Sequence, residues 1–202
     1  MVQTPIRQDS LTLELPNSIA LYVTPEQFEL LTIVNRDLRL ERTPQGELIV
    51  NPPVGWESSR RNRSLTGQLD RWHEANEELG EAFESSGGFT LPSGAIRSPD
   101  ASWISRQRWD GLTPEQRTTF PQVCPDFVVE LRSQSDRLSS LQEKMREYLE
   151  NGTRLGWLLD PKHRRVEIYR PGYDVEVLEN PVELSGEDVL PGFVLNLRKV
   201  WG

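Results

Sequence analysis

Asp100, Glu130, Arg132 and Lys144 are the residues whose types and spacing could do chemistry. Glu130 lies within CPDFVVELRSQSD, residues 124–136, where Phe127, Val128, Val129 and Leu131 read as a buried strand behind a Cys-Pro-Asp boundary. A carboxylate inside such a strand is costly unless it faces a cation, a set of donors or a metal. Asp100 follows Ser98-Pro99 and opens a second predicted strand, ASWIS. Strands adjoining in sequence commonly pair in space, so the two carboxylates can meet. Their repulsion then calls for a cation, and acidic oxygens completed by carbonyl and water ligands suit Mg²⁺ or Mn²⁺.

Two basic residues compete to complete the group. Strand alternation puts Arg132 on the same face as Glu130. An acid with a cation two positions later can hold a metal and stabilise a phosphorane-like transition state, or it can form a core ion pair with no site at all. Lys144 belongs to the following predicted helix, whose apolar stripe is Leu138, Leu141, Met145, Tyr148 and Leu149. On a helical wheel it falls about 40° outside Tyr148, at the edge of the buried face. Its stem could lay the ammonium into a site at the strand edge, or snorkel to water.

The elements that must position these residues read as a mixed sheet with helices on its faces. VTPEQFELLTIVNRD predicts a helix with a Thr24–Gln27 capping box and Pro25 at its first position. LRLERTPQGELIV predicts a hairpin around Pro44-Gln45-Gly46. A second helix follows Glu57, capped by Ser58 or Ser59 and stopped at Gly80, with Leu65, Leu69, Trp72 and Leu79 as its stripe. Arg61 and Asn62 fall on the flanks of that stripe, where Asn62 is either an accessory site residue or part of a fraying end. The segment from Arg106 to Val123 reads as a loop with one helical turn at Pro114, and RLGWLLD, RVEIYR and DVEVLEN as three closing strands. Trp72 and Trp157 sit in periodic apolar settings, leaving Trp109 as the tryptophan that could contact a base or a partner.

Composition narrows the class. At 202 residues the chain suits one α/β domain of residues 1–202, with an N-terminal helix and hairpin extension over 1–50 and a core over about 57–180. Hydrophobic residues at 36% and charged residues at 27% exclude a disordered or membrane-embedded chain. No apolar run approaches the roughly 20 residues of a spanning helix, and MVQTPIRQDS lacks the pattern of a secretory signal. One cysteine, Cys124, excludes an internal disulfide, and with only His73 and His163 beside it a zinc site is not expected. A cytoplasmic protein is the expectation. The net charge of −8, from 31 acidic and 23 basic residues, argues against a sequence-independent coat on nucleic acid but suits a site that gathers divalent cations.

SPDASWI, CPDFVVELRSQSD and LQEKMREYLENGTRLGWLLDP, in that order, resemble the Uma-two family of the PD-(D/E)XK restriction-endonuclease-like superfamily. The resemblance runs from the VTPEQFELL helix to the closing VLPGFVLNL segment. It implies a restriction-endonuclease-like mixed β-sheet, with Asp100 as the acid of the Pro-Asp motif, Glu130 as the second acid and both as metal ligands. The superfamily's lysine would stand at position 132, which here is arginine and stays protonated near neutral pH. In the family the lysine has moved to the next helix, which makes Lys144 the catalytic cation and leaves Arg132 as an accessory phosphate contact. Glu57 matches the place where some members add another acid; otherwise it stabilises a helix N-terminus. The implied activity is Mg²⁺- or Mn²⁺-dependent hydrolysis of DNA phosphodiester bonds. The alternative is a catalytically silent nucleic-acid-binding or scaffold protein that keeps the fold. A homodimer would follow from the two-fold symmetry common among nucleases that cut both strands.

Overall fold

The computed structural model describes residues 20–202; the opening MVQTPIRQDS, read above for a secretory signal, lies outside them. Helix α1 (Pro25–Val34) starts as its sequence predicts. Thr24 Oγ1 accepts the Gln27 N–H at 3.2 Å and Gln27 Oε1 accepts the Thr24 N–H at 2.9 Å, so the capping box closes. Strands β1 (Arg39–Arg42) and β2 (Leu48–Asn51) form the predicted hairpin.

Helix α2 (Trp56–Glu74) differs at both ends from its sequence reading. Gly55 is its N-cap, and neither Ser58 nor Ser59 caps it. It stops at Glu74, and Gly80 begins strand β3 (Gly80–Glu84) instead of ending the helix. The reason is packing. A Cβ at Gly80 would lie 2.0 Å from the Ile104 carbonyl oxygen, so glycine is what lets β3 pair closely with its neighbour.

Strands β4 (Phe89–Thr90), β5 (Ile96–Arg97) and β6 (Ala101–Ser105) follow. The sequence of the next segment predicts a loop with one helical turn at Pro114; it contains α3 (Arg106–Asp110) and a 3₁₀ turn over Gln116–Thr118. Next come β7 (Phe127–Leu131), α4 (Leu138–Glu150), β8 (Leu155–Asp160), β9 (Arg165–Tyr169) and β10 (Glu176–Glu179). A small hairpin of β11 (Glu183–Ser185) and β12 (Val194–Asn196) leads to α5 (Arg198–Trp201).

The main sheet has the order β10-β9-β8-β7-β6-β3, and a four-stranded sheet has the order β2-β1-β5-β4. Only the β7–β8 pair of the main sheet is parallel, which requires a crossover, and α4 supplies it. Among the described residues no helix is long and apolar enough to cross a membrane.

Strand β7 is buried on both faces, and its alternation divides the core. Phe127, Val129 and Leu131 join Leu65, Leu69 and Trp72 of α2 on one side. Val128 packs with Met145 and Tyr148 of α4 on the other. Gly156 on β8 lets α4 approach, since a Cβ there would stand 2.5 Å from Met145 Cε. Glu130, two residues after Val128, must therefore face α4.

Candidate functional site

The β6–β7 register brings the two predicted acids together. Ala101 pairs with Val129 in an antiparallel ladder, so Asp100 and Glu130, one residue further along each strand, come opposite each other. Asp100 Oδ2 accepts the Leu131 backbone N–H at 2.8 Å, and its Oδ1 accepts Arg39 Nη1 at 3.0 Å. Both acids line one cleft of about 990 Å³ that also takes in Glu41, Lys144, Arg132 and the start of α2.

Of the two candidate cations, Lys144 reaches Glu130. Its Nζ lies 2.8 Å from Glu130 Oε1 and 2.9 Å from Glu41 Oε1. Tyr148, one turn further along α4, donates its hydroxyl to Glu130 Oε1 at 3.0 Å. Arg132 lies beyond the last residue of β7 and turns elsewhere: Nη1 reaches Asp160 Oδ2 at 2.7 Å and Nε donates to the Asp136 carbonyl. The Glu130–Arg132 core ion pair considered from alternation does not form.

Electrostatics follow from burial. Glu130 is 3% exposed, and desolvation pushes its carboxyl up to about 7. Lys144 counters that push, while the charges of Asp100 and Glu41 add to it. Burial also works against the Lys144 ammonium, but the Glu130 and Glu41 carboxylates beside it outweigh burial and hold its pKa above the usual lysine value. At Glu41, Lys144 and Arg97 overcome desolvation and keep the carboxyl below its ordinary range.

Glu41 is the site residue that the sequence reading missed. It is 2% exposed and accepts Lys144, the Ser98 N–H at 3.2 Å and Arg97 Nη1 at 3.3 Å. Arg97 in turn donates from Nε to Glu147 of α4 at 2.6 Å. In sequence, Glu41 is one of several charged residues in a short polar strand, RLER, and nothing local marks it. It is buried because β1 pairs with β5 and because α4 lies opposite, contacts far away in the chain. The hairpin placed in an N-terminal extension thus supplies a buried acid to the cleft.

Two accessory candidates, Glu57 and Asn62, line the cleft from α2. Glu57 lines it with a largely exposed side chain, held by Arg60 at 3.0 Å and Arg61 at 3.5 Å. The hydrogen bond from Arg60 lowers its pKa. Asn62 also lines the cleft, and its Oδ1 has no hydrogen-bond partner among the described residues. Trp72 and Trp157 are core residues as expected. Trp109, expected to be free for contacts, packs against Phe83 and under the Arg117 guanidinium, 4.3 Å from the ring centroid.

The donor set fits a hard divalent cation. No hydrogen bond reaches Glu130 Oε2 from the described residues, and positive charge beside it would relieve a carboxylate that burial disfavours. Among the described residues no three His, Cys, Asp or Glu side chains cluster as a metal cage. Two carboxylates completed by waters and substrate phosphate are a usual arrangement for Mg²⁺.

A mixed sheet flanked by helices, with opposed acids on adjacent strands and a cleft over them, is the plan of a restriction-endonuclease-like protein. The family described as "Putative restriction endonuclease" matches residues 25–198, and the chain belongs to that family, Uma-two. Among solved structures the chain is similar to a protein of Anabaena variabilis whose crystal structure is described as that of "a putative nuclease". The TM-score is 0.68 at 20% identity, covering 80% of this chain and 89% of that one, a likeness that shows the fold. No curated protein matches the chain.

Proposed function

We propose that the protein is a metal-dependent endonuclease that hydrolyses DNA phosphodiester bonds. The observation that carries this reading is the meeting of Asp100, Glu130 and Lys144 in one cleft, with the Lys144 ammonium 2.8 Å from Glu130. Asp100 and Glu130 would hold Mg²⁺ or Mn²⁺, which when bound polarises the scissile phosphate and makes water a better nucleophile. Arg39 and the Leu131 N–H fix the Asp100 carboxylate in place. Glu41 and Glu130 hold the Lys144 ammonium, which orients the attacking water or offsets charge developing on the phosphate. Arg132 is left an accessory role at the cleft wall, because Asp160 already claims it.

A second reading, a non-cleaving DNA-binding or scaffold protein, is favoured by one observation. Both oxygens of Asp100 already have protein partners, as a purely structural acid would. Calorimetric titration with Mn²⁺ and Mg²⁺ of the native protein and Glu130→Ala, followed by incubation with supercoiled plasmid, separates the two. The nuclease reading expects the native protein to bind metal and nick plasmid and the variant to do neither. Metal binding without nicking favours the second reading, and no metal binding by either protein sinks the two-carboxylate site. A homodimer would present two clefts to the two strands; sedimentation with and without DNA tests it.

A further inference from the structure

Trp56 stands apart from the other tryptophans. Trp72, Trp103, Trp157 and Trp201 are buried and Trp109 is packed, whereas Trp56 is 94% exposed. Large aromatic side chains are normally buried or partnered, so a bare indole at a cleft is a feature to explain. Trp56 opens α2 behind Pro52-Pro53-Val54-Gly55 and lines the same cleft as Asp100 and Glu130. The proline pair limits the backbone freedom of the approach to the ring. Positive charge lies close by: Arg60, Arg61 and Arg63 occupy the next turns of α2, and Arg61 lines the cleft, where the single carboxylate of Glu57 is shared between Arg60 and Arg61. Lys162, on the turn after β8, also lines it and makes no ion pair among the described residues.

An exposed indole beside cations matches the chemistry of a nucleotide whose base is free to stack and whose phosphate needs a counter-charge. A base inside a duplex already has both faces covered and offers none to the ring. We propose that Trp56 is a stacking platform for an unpaired base of the DNA strand delivered to the Asp100–Glu130 cleft, with Arg61 and Lys162 seating its phosphates. The preferred substrate then carries single-stranded or distorted DNA next to the scissile bond. This rests on the nuclease reading, and deepens it by naming the substrate class.

The test measures binding apart from cleavage. Fluorescein-labelled single-stranded oligonucleotide and the blunt duplex of the same sequence are titrated by anisotropy with the native protein, Trp56→Ala and Trp56→Phe. Ca²⁺ replaces Mg²⁺, since it takes the same oxygen ligands. Trp56 buries almost no surface against the described residues, so neither variant threatens the fold. The native protein should prefer the single strand, and Trp56→Ala should lose about tenfold or more of that affinity while duplex binding is unchanged. Trp56→Phe should restore most of the loss. An equal effect of Trp56→Ala on both ligands, no effect on either, or no oligonucleotide binding by the native protein overturns the proposal. Plasmid nicking by the native protein, run in parallel with Mg²⁺, judges the nuclease reading independently.

Discussion

Lys144 and Glu41, 103 positions apart in sequence, form a 2.9 Å ion pair at the base of the cleft. The pair ties α4 to the N-terminal hairpin and holds the ammonium where it also meets Glu130. Glu41 therefore acts on the site through Lys144, as a positioning residue.

Glu41→Ala should uncouple that arrangement. Breaking one partner of a buried charge network costs about 3–5 kcal/mol, which denaturant unfolding would read. Glu41→Gln keeps the shape and an acceptor for the Ser98 N–H, so it should be the milder of the two variants. If Glu41 positions Lys144, Glu41→Gln should lower plasmid nicking while the heat of Mn²⁺ binding persists. Full nicking activity in a folded Glu41→Gln protein would show that Lys144 needs no such anchor.

Lys144→Met should separate metal binding from turnover. The methionine stem fills the same space, and the two carboxylates proposed as ligands remain. Nicking should fall by about a hundredfold or more, the usual effect of removing a single electrostatic group at a transition state. Arg132→Met should reduce it far less. The reverse ranking would return the catalytic cation to Arg132.

The Arg132–Asp160 pair makes a pH-dependent contribution to stability. Asp160 is 4% exposed; burial alone would raise its pKa, but hydrogen bonds from His163 and Arg132 bring it below the ordinary aspartate value. A folded pKa below the unfolded one stabilises the protein above the unfolded value of about 3.9, and that stability fades as pH falls through the folded value. Native protein and Asp160→Asn should thus differ in melting temperature at pH 7 and converge in acid. A constant difference across that range would mean that the charge of Asp160 contributes nothing.

The glycine contacts predict two different failures. Gly80→Ala drives a Cβ against backbone, 2.0 Å from the Ile104 carbonyl oxygen, and β3 must shift or detach. Gly156→Ala meets side chains alone, closest the flexible end of Met145 at 2.5 Å and then Val128 Cγ2 at 3.4 Å, and should cost about 1–3 kcal/mol as overpacking. Met145 follows Lys144 within α4, so a shift of the helix to relieve that contact also moves Lys144. Thermal melts should rank Gly80→Ala as the worse variant, and Gly156→Ala should lose nicking activity beyond its loss of stability.

The sequence by itself determined what is local. The Thr24–Gln27 box, the hairpin turn at Gly46, the stripe of α4 and the alternation of β7 all arise from backbone stereochemistry and side-chain periodicity within a few residues. Those same patterns placed Glu130 in a buried strand and made its charge conspicuous. The end of α2 at Glu74 was not legible, because Gly80 has its role only against Ile104 across the sheet. Tertiary structure alone decided which partner each charge takes. Arg132 shares a predicted face with Glu130, yet the end of β7 and the presence of Asp160 turn it away. Glu41 looks like an ordinary surface acid until β5 and α4 close over it, and Trp56, which no sequence pattern singles out, stands 94% exposed at the cleft. Burial and ion pairing depend on residues brought together from distant parts of the chain, which local periodicity does not encode.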